Sequence, residues 1–140
     1  MDQQEFLAAV TTSWDRLISS LEQVPPVIRA TPPDPSETWS VKDVVAHISF
    51  WEVVALHKMR GTATLHAGLD VDEANDIEFG RSKDRSWDDV WAEFHSTHEE
   101  LVEQLKAPAS VVLDDISEDT WEHYDEHRQW LEAWLDPMIQ

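Results

Sequence analysis

Two histidines four residues apart, His123 and His127, form the sharpest chemical pattern in the chain. On a helix that spacing puts both imidazoles on one face, one turn apart, where they can share a metal ion. Trp130 and Trp134 continue the row, so the pair is directed toward the interior or its edge. Two ligands hold an ion weakly, and His47 is the best candidate for a third. It sits in the apolar stripe Val44, Ile48, Trp51, Val54, Ala55, where a histidine must be hydrogen-bonded, ligated or buried at a cost. Neutral imidazoles suit Zn, Ni, Cu or Fe. Three histidines without an obvious fourth ligand would leave a position open for water or substrate. Each part also has a plainer reading. His-x-x-x-His pairs arise by chance on acidic helices, and a lone core histidine is commonly satisfied by a hydrogen bond.

Other candidates surround this set. His98 lies on an apolar stripe between Phe94 and Leu101. It could orient a ligand, act as a base, or bond a neighbour in the core, and the last is preferred. Tyr124 could present its hydroxyl to a pocket, with packing as the preferred reading. Trp51, His98 and Tyr124 together are the candidates for a pocket wall or for side chains behind the ligands. Asp43 could orient His47 from one turn before it, but a helix cap explains it equally well. Other catalytic patterns fail. There is no Gly-rich phosphate loop, no Gly-x-Ser-x-Gly, no His-Glu-x-x-His and no Glu-x-x-His.

Four amphipathic helices must position these residues. The first is expected from about Gln3 to Gln23, ended by Pro25 and Pro26. A stiff connector with Pro32, Pro33, Asp34 and Pro35 follows. The second opens at Ser40, with Asp43 completing a capping box, and stops at Gly61. Residues 61–85 are ambiguous, although Val71, Ala74 and Ile77 could make a short helix. The third starts at Ser86 and ends at Pro108; the fourth begins near Ser117 and is closed by Pro137. Trp39, just before the second helix, reads as a hydrophobic staple. The economical fold is an all-α, antiparallel-type four-helix bundle, with residues 1–140 as a single domain.

Composition narrows the function. Among 140 residues, 10 Lys and Arg stand against 29 Asp and Glu, a formal net charge of −19. That charge repels nucleic acid and anionic membrane surfaces. With no cysteine, thiolate metal sites, disulfides and cysteine catalysis are excluded. Apolar runs are too short to span a bilayer, and the acidic N-terminus is unlike a secretory signal. A cytoplasmic protein is the expectation. Eight Trp and seven His are the compositional oddities, and most of the Trp fall on helix stripes.

The segment Trp39-Ser40-Val41-Lys42-Asp43-Val44-Val45-Ala46-His47 resembles the second-helix signature of the DinB/YfiT-like superfamily. Thr120-Trp121-Glu122-His123-Tyr124-Asp125-Glu126-His127 resembles its last-helix His-x-x-x-His, and Phe94 to Leu105 resembles the third helix of the ClbS/DfsB-like branch. The resemblance implies a four-helix bundle with a non-sequential helix arrangement, often dimeric, which leaves a homodimer open here. It implies a divalent ion, commonly nickel or zinc, at positions corresponding to His47, His123 and His127. Some members are thiol-dependent transferases or isomerases using mycothiol or bacillithiol. The expected function is therefore a metal-dependent hydrolase or a transferase using a low-molecular-weight thiol, acting on a small molecule. The alternatives are a metal-free ClbS-like resistance hydrolase or sequestering protein, and a non-catalytic partner-binding bundle.

Overall fold

The computed structural model describes residues 1–32, 39–64, 66–107 and 113–139, with side chains in the last segment through Leu135. Pro33, Asp34 and Pro35 of the expected connector, and Pro108 as the expected end of the third helix, lie outside the described residues. Four long helices dominate: α1 (Gln3–Glu22), α2 (Val41–Arg60), α4 (Trp87–Lys106) and α6 (Trp121–Ile139). A 3-10 turn at Pro26–Ile28, the shorter α3 (Val71–Ser82) and the one-turn α5 (Asp114–Ser117) lie between them. Among the described residues no helix is long and apolar enough to cross a membrane.

The helix starts follow from local chemistry. Asp2, Ser40, Asp70 and Ser86 each accept a backbone N–H in the first turn of α1, α2, α3 and α4. Each satisfies a donor that would otherwise have no partner. At α2 the capping box is complete, because the Asp43 carboxylate also accepts from the Ser40 backbone N–H at 2.9 Å. Gly61 ends α2 at φ 68°, a left-handed conformation that favours glycine.

The last helix departs from expectation at both ends. It starts at Trp121, after the separate turn Asp114–Ser117, rather than near Ser117. It also runs past Pro137 to Ile139. A proline removes one backbone donor and presses on one carbonyl, which weakens a helix without obliging it to stop.

Long-range contacts fix the helix directions. Lys42 reaches the carbonyls of Lys83 and Arg85 just before α4, while Arg60 reaches Glu100 and Gln104 near its end, so α2 and α4 run parallel. Ser20 of α1 bonds Glu132 of α6, and Trp14 packs on Tyr124, so these two are parallel as well. Gln3 at the start of α1 bonds the Leu105 carbonyl near the end of α4, which makes that pair antiparallel. Lys58 bonds Asp119 while His47 meets His123, so α2 and α6 are also antiparallel. The most extensive packing is α2 on α4 and α1 on α6, with lighter α1–α4 and α2–α6 contacts. Around the bundle the order is α1, α6, α2, α4, the non-sequential arrangement the resemblance implies. The expectation of an antiparallel-type bundle is corrected: the two main pairs are parallel. The α2–α4 connection makes this possible, because α3 carries the chain back along the bundle before α4 begins.

One core joins all four long helices through Phe6, Val10, Leu17, Val45, Ile48, Phe94, Leu101, Tyr124 and Leu131. The short helix α3 is held less firmly. Ala74 packs with Phe50, Val54 and Trp51, but Val71 and Ile77 remain exposed. Trp39 stacks on Phe79 of α3, with ring centroids 5.9 Å apart. It therefore clamps α3 to the start of α2.

Candidate metal centre

His47 lies in the N-terminal half of α2, and His123 and His127 occupy the first two turns of α6. Where α2 and α6 cross, the three rings converge. His123 Nε2 is 3.0 Å from His47 Nε2 and 2.8 Å from His127 Nε2. One ligand atom from each of the three lies within 4.8 Å of the others, so the set could hold one ion.

Hydrogen bonding cannot satisfy this arrangement. A neutral imidazole nitrogen carries either one proton or one lone pair. His123 Nε2 can therefore serve one of its two neighbours well, and the other contact stays uncompensated. Protonation does not resolve it, because three crowded cations would repel. Burial, reinforced by His127, lowers the pKa of His47 from 6.5 to about 3. Burial, then His127 and His47, lower that of His123 to about 2. Burial alone lowers that of His127 to about 4. Near neutral pH the cluster is three uncharged nitrogen donors. The His47–His123 and His123–His127 spacings are close to those of two ligands on one ion. Two nitrogens each about 2.1 Å from one ion are about 3.0 Å apart at a right angle and about 3.4 Å apart at the tetrahedral angle.

The histidines open on a cleft of about 470 Å³. Trp51 and Asn75 form one wall, where the Trp51 indole N–H donates to Asn75 Oδ1 at 2.9 Å. Its acidic side chains are Glu118, Asp119, Glu122 and Glu126. Asp119 is buried and accepts from Lys58 at 2.8 Å. Among the described residues Glu118, Glu122 and Glu126 have no ion-pair partner.

His98 and Tyr124 are not on this wall. Both bond Glu52, which has no solvent exposure: His98 Nδ1 and the Tyr124 hydroxyl each lie 2.8 Å from Glu52 Oε2. His98 is thus a core histidine bonded to a neighbour. Its ring stacks on Trp14, with centroids 3.6 Å apart. Asp43 serves the α2 cap, accepting from Ser40, rather than bonding His47. Trp39 and Trp51 instead pack edge-on against the His47 ring. Of the remaining histidines, His57 contacts Thr62, His66 contacts Glu78, and His95 sits edge-on to Trp91.

Sequence reasoning missed Glu52, Asn75 and the carboxylate wall. Glu52 left a signal: it falls four residues after Ile48 and three before Ala55, inside the buried stripe of α2. Asn75 and the wall acids left none, since their place depends on how α3 and α6 approach α2.

No curated protein matches the chain. An uncharacterised protein from Escherichia coli UTI89 has a similar structure, with a TM-score of 0.80 at 18% identity over 98% of this chain and 94% of that one. At that identity the likeness carries the fold alone. The sequence model of the DinB superfamily matches residues 9–138, which include all three converging histidines. The chain belongs to the DinB superfamily.

Proposed function

We propose that the protein binds a divalent metal ion, nickel or zinc, through His47, His123 and His127. On this reading it acts on a small molecule, as a metal-dependent hydrolase or a thiol-dependent transferase. The observation that supports it most is the crowding of three ring nitrogens that hydrogen bonds cannot satisfy. A bound ion would supply Lewis acidity, polarising a substrate oxygen or easing loss of a proton from water or a thiol.

The chain's own residues define what could approach. Three neutral imidazoles leave an ion's charge undiminished, and the open side of the triad faces the cleft. Trp51, held by Asn75, gives an apolar plate beside His47. The carboxylates of Glu118, Glu122 and Glu126 repel anions, so neutral or cationic small molecules are favoured. An acidic thiol cofactor is disfavoured by the same charges, which tips the choice toward hydrolysis.

Metal analysis of protein purified without a His-tag, followed by calorimetric titration with Ni²⁺ and Zn²⁺, tests the reading. One equivalent retained or taken up, and lost in H127A, is expected. Wild-type protein that neither retains nor binds either ion would overturn it.

A further inference from the structure

Tyr124, the residue after His123, belongs to one polar point at which all four long helices meet. Glu52 comes from α2, Tyr124 from α6, His98 from α4 and Trp14 from α1. The Glu52 carboxylate accepts from the Tyr124 hydroxyl and pairs with His98 Nδ1, each at 2.8 Å, through the same oxygen. Trp14 lies flat against His98, with ring planes 2° apart, and edge-on to Tyr124. Glu52 and Tyr124 are both fully buried.

This arrangement costs stability. Glu52 Oε1 is buried with no hydrogen-bond partner. Burial raises the Glu52 pKa in spite of both hydrogen bonds, and it raises that of Tyr124 well above 10. An apolar residue of similar size would fill the space without that penalty. What the carboxylate adds is direction. Apolar packing tolerates a small slide of one helix past another, whereas two short hydrogen bonds to one oxygen do not.

The helix contacts show where that direction matters. The triad is split between α2 and α6, a pair that packs far less extensively than α2 with α4 or α1 with α6. Tyr124 directly follows His123, and Glu52 directly follows Trp51, whose ring stands beside His47. Fixing Tyr124 to Glu52 therefore fixes the height of His123 and His127 relative to His47.

We propose that Glu52 is a positioning residue for the histidine cluster: its hydrogen bond to Tyr124, braced by His98 from α4, sets the register of α6 on α2 that brings His47 against His123 and His127. The proposal rests on the metal-binding reading for its biological use, but not for its geometry.

The test compares E52L, E52Q and Y124F with wild type, and with L105A as a control. Leu105 is a fully buried residue at the far end of α4, next to the residue contacted by Arg60. Two readouts are taken well below each variant's unfolding temperature: Ni²⁺ affinity by calorimetry, and ring-to-ring nuclear Overhauser contacts between His47 and His123 in ion-free protein. E52L is expected to weaken Ni²⁺ binding about 10-fold or more, as loss of a ligand's supporting contact does, and to remove the ring contacts. E52Q, which keeps an acceptor oxygen, restores both. Y124F, the mildest change, weakens both in the same direction and decides the matter if E52L does not fold. L105A lowers the unfolding temperature while leaving both readouts at wild-type values. The proposal is overturned if Y124F and E52L keep wild-type ring contacts, or if L105A reproduces their loss. Should wild type bind no ion, the proposed function fails, and the ring contacts still judge the role of Glu52.

Discussion

His47 and His123 stand 76 positions apart in sequence, yet their Nε2 atoms are 3.0 Å apart, closer than two like-charged rings would tolerate. The contact joins two long helices that pack only lightly on each other, and His127 extends it to a third nitrogen 2.8 Å from His123. Removing any one ring leaves two donors. We expect H47A to weaken Ni²⁺ or Zn²⁺ binding by more than the about 10- to 100-fold that loss of an outer supporting contact costs. H127A should do the same, and H95A, a half-buried ring of α4 packed edge-on against Trp91 and Trp14, should not. Calorimetric titration of the three variants checks this. Equal affinity in H47A and wild type would remove His47 from the ligand set.

The triad also makes the ion-free protein sensitive to acid. In the folded state the three histidines titrate at about 3, 2 and 4, against 6.5 for an unperturbed ring. Between pH 6.5 and about 4 the unfolded chain binds protons that the folded chain does not. Stability therefore rises with pH across that window and falls as pH is lowered through it. Glu52 and Asp119, both raised by burial, act with the opposite sign. Comparison with H47Q isolates the histidine contribution, because the variant has one fewer ring to protonate. Urea midpoints at pH 7, 6 and 5 should decline more steeply for wild type than for H47Q. Identical slopes would contradict the burial of His47 as a neutral ring.

What could be read from the sequence, and what could not, follows the range of the interactions. His123 and His127 were legible because one helical turn relates them, and His47 because it interrupts an apolar stripe. The helix starts were legible because caps act over three residues. The strongest of these local features is measurable. Ser40 Oγ accepts from the Asp43 N–H, and Asp43 Oδ2 accepts from both the Ser40 N–H and its hydroxyl at 2.9 Å. S40A should destabilise the fold by about 1 kcal/mol, and D43A by up to about 2 kcal/mol, as removal of helix caps does. Chemical denaturation measures both. The parallel pairing of α2 with α4 was not legible, because it depends on α3 turning the chain around. The hydrophobic pattern of α3 is too weak to announce it, with Val71 and Ile77 facing solvent. Glu52 was masked by abundance, since one carboxylate among 29 acidic residues draws notice only when its neighbours are seen to be buried.

Lys42 shows the same limit from the basic side. Lys42 is buried, with 7% exposure, and its ammonium group donates to the carbonyls of Lys83 at 2.8 Å and Arg85 at 2.7 Å. Lys83 caps the end of α3, where helix carbonyls lack intrahelical partners and carry partial negative charge, and Arg85 lies in the turn just before the Ser86 cap of α4. One cation thus fastens the α3–α4 junction to the first turn of α2, two residues after the Ser40 cap. Through that junction it also holds α3, and with it Asn75, against Trp51 on the wall of the histidine-lined cleft. K42M keeps the aliphatic stem and removes the charge, leaving two carbonyls without their donor. Each hydrogen bond to a charged group contributes about 1.5–3 kcal/mol, so K42M should lower stability by at least about 2 kcal/mol. The loss should be local first. Amide hydrogens of α3 should exchange faster in K42M, while those of α1 and α6 change only as global stability changes. Uniform acceleration across all helices would show that Lys42 supports the whole bundle rather than the junction.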